Sequence, residues 1–195
     1  MSTTPLIAVI TASTRSTRFA DLVAPWVIAS LEARDDLRVL PIDLRDHPLP
    51  FYDLPKSPGV AHREYTSDEQ RQLGELFDSA DGFLIITSEY NHGYPGALKN
   101  ALDHFSAEFH RKPVSFVGYG NVGGARAIEQ LRQVASELEL ATLRQALHLL
   151  PQHFMGIREE STRAETLEGL APRLTMVTDD LLWWSNALSA ARAAS

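Results

Sequence analysis

Gly82-Phe83-Leu84-Ile85-Ile86-Thr87 is the clearest buried strand in the chain, and its reading decides the fold. A short unbroken apolar run of this kind, rich in branched residues, marks a strand covered on both faces. Leu6-Ile7-Ala8-Val9-Ile10 is a second such run, and Pro113-Val114-Ser115-Phe116-Val117-Gly118 reads as another strand. Leu37 to Asp43 is a weaker strand, for which Pro41 implies a peripheral position in the sheet or an irregular end. Ala146 to Leu150 is a fifth, shorter candidate.

Helical periodicity fills the gaps. Phe19, Leu22, Val23, Trp26, Val27 and Leu31 share one helical face, and Pro25 inside the segment is expected to kink or shorten it. Ser67 followed by Gln70 has capping-box spacing and opens a helix to about Ala80. Pro95 suits the first position of a helix carrying Leu98, Ala101, Leu102 and Phe105. Gly123-Gly124 opens the next, with Ile128, Leu131, Val134, Ala135 and Leu138 at helical spacing; Glu137 and Glu139 read as helical. A last helix runs from about Arg163 to Ala193, with a candidate break at Pro172; Trp183-Trp184 on it reads as core plus interface. Between Leu44 and Thr66 the pattern dissolves among prolines, and a loop this long is usually functional, interfacial or mobile. Five strands alternating with helices imply an α/β fold, a five-stranded parallel sheet with helices on both faces. Such folds bind ligands beyond the carboxyl ends of the strands, at a topological switch point. The loops after the first, third and fourth strands are therefore the candidate site.

At 195 residues the chain is expected to form a single domain over 1–195. It has no cysteine, which excludes disulfide scaffolds, thiolate metal sites and thiol nucleophiles. Eighteen Lys and Arg against 25 Asp and Glu argue against a nucleic-acid partner. A local cluster of donors can still hold an anion, because exposed charges beyond about 8 Å are largely screened. Met1 to Pro5 carry no basic region before Leu6 to Ile10, and that run is too short for a secretory signal. No segment approaches the ~20 apolar residues that cross a bilayer. A soluble, cytoplasmic protein without a membrane partner is expected. The histidines show no metal-ligand spacing and there is no G-x-S-x-G, so neither a metal site nor a nucleophile-elbow hydrolase is expected.

The three loops carry distinct chemistry. Thr11-Ala12-Ser13-Thr14-Arg15-Ser16-Thr17-Arg18 offers five hydroxyls and two guanidinium groups at a helix start, a donor set suited to a terminal phosphate. Helix capping accounts for one hydroxyl and leaves the others unexplained. No lysine follows a glycine there, so it is not a Walker A loop. Thr87 to Gly96 gathers two aromatics, polar groups, two glycines and a proline, a composition suited to a flat heteroaromatic ligand, with Gly93 allowing close backbone approach. Gly118-Tyr119-Gly120-Asn121-Val122-Gly123 fits G-x-G-x-x-G but follows the fourth strand, and no ribose-binding acid ends the next. Its glycines read as a wall of the same pocket.

These residues resemble the NAD(P)H-dependent FMN reductases, a family with a flavodoxin-like three-layer sandwich. The resemblance covers Leu6 to about Leu150. Glu89-Tyr90-Asn91-His92-Gly93-Tyr94-Pro95-Gly96-Ala97-Leu98-Lys99-Asn100 is similar to the family's P-E-Y-N-x-x-x-P-G-x-L-K-N signature. Ser13 and Arg15 resemble its G-S-x-R loop, and Tyr119 to Gly124 its Y-G-x-x-G-G loop. Ala12, Ser88 and Gly118 depart from the usual Gly, Pro and Ser. The resemblance implies that Ser13, Arg15, Ser16, Thr17 and Arg18 hold the FMN phosphate. It implies that Glu89, Tyr90, Asn91, His92 and Gly93 contact the isoalloxazine, with Tyr119, Gly120 and Gly123 flanking it. It further implies a homodimer or homotetramer that passes hydride from NADH or NADPH, through FMN, to a small-molecule electron acceptor such as free flavin, a quinone or an azo compound. No protein nucleophile is called for. An FMN-binding electron carrier, a flavin-free dehydrogenase and a non-catalytic regulatory protein are the alternatives.

Overall fold

The computed structural model describes residues 4–194; the part of the leader reading that rests on Met1 to Thr3 lies outside them. The elements run β1 (Leu6–Thr11), α1 (Ala20–Glu32), β2 (Arg38–Asp43), α2 (Pro58–Ala61), α3 (Asp68–Ser79), β3 (Gly82–Ser88), α4 (Gly96–Asp103), β4 (Pro113–Tyr119), α5 (Ala125–Glu137), β5 (Ala141–Leu149), α6 (Pro151–Arg158) and α7 (Glu160–Ala193). The five strands form one parallel sheet in the order β2-β1-β3-β4-β5. β2 is an edge strand, the peripheral position that Pro41 allows.

Successive strand residues point to opposite faces, and both faces are covered. Ile7, Val9, Leu84, Ile86 and Val117 pack against α1 and α7. Ala8, Ile10, Phe83, Ile85 and Phe116 pack against α3, α4 and α5. This explains why the central strands read as unbroken apolar runs. The chain leaves β1 toward β2 on one side and returns to β3 on the other, so the switch point lies beyond Thr11 and Ser88.

Several local expectations are corrected. α1 runs unbroken through Pro25, and α7 through Pro172. In α7 the buried series Leu170, Leu174, Val177 and Leu181 continues across the proline. That packing offsets a penalty of about 3 kcal/mol. Pro95 is the N-cap of α4 rather than its first residue. β5 is longer than expected and starts at Ala141; its register with β4 slips between Val114 and Phe116, which hides the alternation. Glu139 lies past the end of α5, at φ 53°. Trp183 is 64% exposed and Trp184 37%, so neither belongs to the core. The capping box is also displaced: Ser67 Oγ accepts from Gln70 N (3.1 Å), but Gln70 Oε1 accepts from Thr66 N (2.8 Å).

The long loop is fixed rather than free. Asn100 on α4 donates to the Leu49 and Pro50 carbonyls (3.2 and 2.9 Å) and accepts from Tyr52 N (3.0 Å). Among the described residues no helix is long and apolar enough to cross a membrane.

Candidate functional site

The loops after β1, β3 and β4 meet at the carboxyl edge of the sheet. Ser13 is fully buried, and its Oγ lies 2.8 Å from the Tyr90 hydroxyl, which ties the first loop to the second. Thr14, Arg15, Ser16 and Thr17 are exposed. The N-cap of α1 is Phe19 and no side chain caps it. The expected capping hydroxyl is therefore absent, and the exposed hydroxyls of this loop stay available. Arg15 stands 6.0 Å from the centre of the Tyr90 ring.

Arg18 does not join them. It is buried, donating from Nε to Asp21 (2.7 Å) and from Nη1 to the Ser13 carbonyl and Asp43 (both 2.6 Å), with Nη2 also on Asp43. Burial pushes the Asp43 carboxyl up, and the bonds from Arg18 outweigh it and hold the group below its usual value. Arg18 thus latches the first loop to β2 instead of facing a phosphate.

The second loop is a tight turn. Tyr90 N donates to Gly93 O (2.8 Å) and Gly93 N to Tyr90 O (3.0 Å). Its central residues Asn91 and His92 have φ 49° and 70°. Two left-handed residues in succession match a type I′ turn, so the unusual backbone belongs to Asn91 and His92 rather than to Gly93. α5 braces the turn through Gln130 Nε2 to His92 O (3.1 Å) and Arg126 Nη1 against His92 Nε2 (2.8 Å). The nearly buried Glu89 carboxylate accepts from Arg126 N and Nε (3.2 and 2.6 Å). It is committed to the start of α5, and the Glu89 amide donates to the Tyr119 carbonyl (3.0 Å), which ties the second loop to the end of β4.

In the third loop Gly120 lines the cleft at φ 152°, where a Cβ would come within 3.0 Å of Glu89 Cβ. Gly123 turns away: its carbonyl accepts from His148 Nδ1 (2.9 Å), and a Cβ would meet His148 Cβ at 2.9 Å.

The resulting cleft has a volume of about 290 Å³ and is lined by Arg15, Thr17, Ser88, Tyr90, Tyr119 and Gly120. Phe154 and Arg158 of α6 complete it, and no sequence motif pointed to either. A cavity of about 350 Å³ lies on the other side of the first loop, by Thr14, Leu44, Arg45 and Asn100. The smaller cleft is the one that joins all three loops. Within it Ser88 Oγ and Tyr119 OH are buried without an aligned hydrogen-bond partner. Burial pushes the Tyr119 phenol up to about 12. Burial also acts to raise Tyr90, but Ser13, Ser88 and Arg15 prevail and hold its phenol below the usual value.

The sequence pattern of the NADPH-dependent FMN reductase family matches residues 5–153. The chain belongs to this family. An NAD(P)H-dependent FMN reductase of Schizosaccharomyces pombe is 39% identical over 137 residues, 70% of this chain and 68% of that one. A quinone reductase of Escherichia coli is 30% identical over 162 residues, 80% of each chain. Among solved structures, the NAD(P)H:acceptor oxidoreductase FerB of Paracoccus denitrificans shares the fold, with a TM-score of 0.63 at 19% identity over 90% of this chain and 98% of that one.

The residues of this FMN reductase chain fit the flavin the family uses. Uncommitted hydroxyls and a guanidinium suit the phosphate. Orphaned buried hydroxyls at Ser88 and Tyr119 suit a ligand rich in hydrogen-bonding atoms. Tyr90, Tyr119 and Phe154 supply apolar walls.

Proposed function

We propose that the cleft between the three loops binds FMN, and that Arg15, Ser16 and Thr17 hold its phosphate. The chain is an NAD(P)H-dependent oxidoreductase of the FMN reductase family. The observation that carries the site assignment is the set of uncommitted donors on the first loop, next to the buried, unpartnered hydroxyls of Ser88 and Tyr119. Ser13 holds Tyr90 in place. Glu89, Tyr90, Asn91, His92 and Gly93 line one side of the ring system, and Tyr119 and Gly120 the other. Gly123 shapes the third loop from behind.

Bound FMN supplies the hydride-accepting centre between NADH or NADPH and the final acceptor. The protein's part is alignment, with reacting atoms about 3–3.5 Å apart. The braced turn at Asn91 and His92 provides a rigid platform for that. No acid or base is required of a side chain. The quinone reductase relative favours quinones as the acceptor class. One FMN-binding domain over 1–195, a cytoplasmic location and a homodimer or homotetramer complete the reading.

The test is the visible spectrum after loading with FMN and desalting, followed by NADPH and NADH oxidation with a quinone. Flavin near one per chain and steady turnover are expected. A colourless protein that oxidises neither coenzyme would overturn the reading.

A further inference from the structure

Two arginines border the cleft, and both are seated on aromatic rings. Arg15 lies over Tyr90 at 6.0 Å and Arg158 over Phe154 at 5.4 Å. Among the described residues these are the two arginines so placed, and neither is paired with a carboxylate. By contrast Arg18, Arg34, Arg63, Arg71, Arg126 and Arg132 all hold one. A ring contact fixes the direction of a guanidinium while leaving its N–H donors free.

The seat of Arg158 is itself fixed. Phe154 and Arg158 are four residues apart on α6, so they share one helical face. Phe154 packs on Phe19 with ring centres 4.2 Å apart, and Phe19 on Tyr119 at 5.1 Å. An aromatic column therefore runs from the end of β4 to Arg158. The nearest acid in the cleft, Glu89, is neutralised by Arg126. Two exposed guanidinium groups border one cleft that holds no free carboxylate, a donor set suited to an anion. Phe154 and Arg158 both lie beyond residue 153, where the match to the family ends.

We infer that Arg158 is a second phosphate-binding residue of this chain, clamping a ligand phosphate against Arg15. The inference rests on the FMN-cleft reading. The phosphate belongs either to FMN or to the diphosphate of the nicotinamide coenzyme.

The experiment compares wild type, Arg158→Ala and Arg15→Ala. Dissociation constants for FMN and riboflavin are measured by flavin fluorescence, and KM for NADPH and NADH by steady-state assay. Arg158 is exposed at the end of α6, so its loss leaves the fold in place. Arg158→Ala is expected to weaken FMN about tenfold or more with riboflavin unchanged, which assigns the FMN phosphate. Unchanged FMN binding in both variants, with a KM for both coenzymes raised about tenfold by each, also upholds the clamp and assigns the coenzyme diphosphate; a KM raised by Arg158→Ala alone overturns it. Equal losses for FMN and riboflavin, or no change in any constant, overturn it. If Arg15→Ala loses FMN and Arg158→Ala does not affect any ligand, only this inference falls. Failure of wild type to bind FMN removes the cleft reading as well.

Discussion

Arg18 bridges the first loop to Asp43, the last residue of β2, through both of its terminal nitrogens, while Arg15, three residues earlier, stands over Tyr90 at the cleft. Asp43 pairs in register with Thr11, so the bridge joins the end of the edge strand to the loop leaving β1. One loop thus carries an arginine tied to the sheet and one that lines the cleft.

Opposite effects are expected from removing each. Arg18→Met leaves Asp43 without its partner and lowers unfolding free energy by about 2 kcal/mol, less than for a fully buried pair because Asp43 is partly wet. Arg15→Ala changes stability by less than about 0.5 kcal/mol. It weakens FMN binding by about 1.5–3 kcal/mol while sparing riboflavin. Urea midpoints and flavin titrations on both variants check this; an unchanged midpoint for Arg18→Met would dismiss the latch.

Tyr119 offers a cleaner test of whether the cleft awaits a ligand. Its hydroxyl is buried, close to Ser13 and Ser88 but with no aligned partner. Tyr119→Phe is expected to leave the flavin-free protein as stable or slightly more so, since no hydrogen bond is lost. FMN binding should weaken by a few-fold. Because burial pushes this phenol up to about 12, the folded chain keeps its proton after the unfolded chain has ionised near 10. Tyr119 therefore lowers stability as pH rises from about 10 to 12, and the variant should lose that slope in alkaline urea titrations.

Lys112 predicts a slope of the other sign. Its buried ammonium donates to the Phe77 and Asp78 carbonyls at the end of α3 (3.0 and 2.8 Å), and burial lowers its pKa from 10.5 to about 8. Below about 8 both states are charged and the burial penalty is felt in full. Between about 8 and 10.5 the unfolded chain holds more protons, so stability rises with pH. Subtracting the pH curve of Lys112→Met from that of wild type should isolate this rise, and a flat difference would contradict it.

Asn100 should control the long loop. Asn100→Ala removes three hydrogen bonds to Leu49, Pro50 and Tyr52. A loss of about 1–3 kcal/mol is expected. Hydrogen exchange should lose protection at the Tyr52 amide, and proteolysis should quicken between Leu44 and Thr66. Unchanged exchange would mean that the loop is held elsewhere.

The central strands were legible because burial on both faces leaves an apolar run at Leu6 to Ile10 and at Gly82 to Thr87 that local rules read correctly. Pro172 and β5 were not, for nonlocal reasons. The buried stripe of α7 carries the helix through its proline, and the slip opposite Val114 and Phe116 breaks the alternation that would have extended β5. The three loops that meet at the cleft stood out because their residue types are chemically distinctive. The bond from Arg18 to Asp43 could not be read locally because its partner is twenty-five positions away on another strand. Phe154 and Arg158 carried no local signal; a phenylalanine and an arginine four apart are ordinary on any helix.

The sequence by itself determined the parallel α/β fold, the three loops that meet at its carboxyl edge and the family to which the chain belongs, because periodicity and motif are properties of neighbours along the chain. Only the tertiary structure decided which donors remain free. Hydrogen bonding is a competition among groups brought together in space, and folding gave Arg18 to Asp43, Glu89 to Arg126, and left Arg15 and Arg158 facing the cleft.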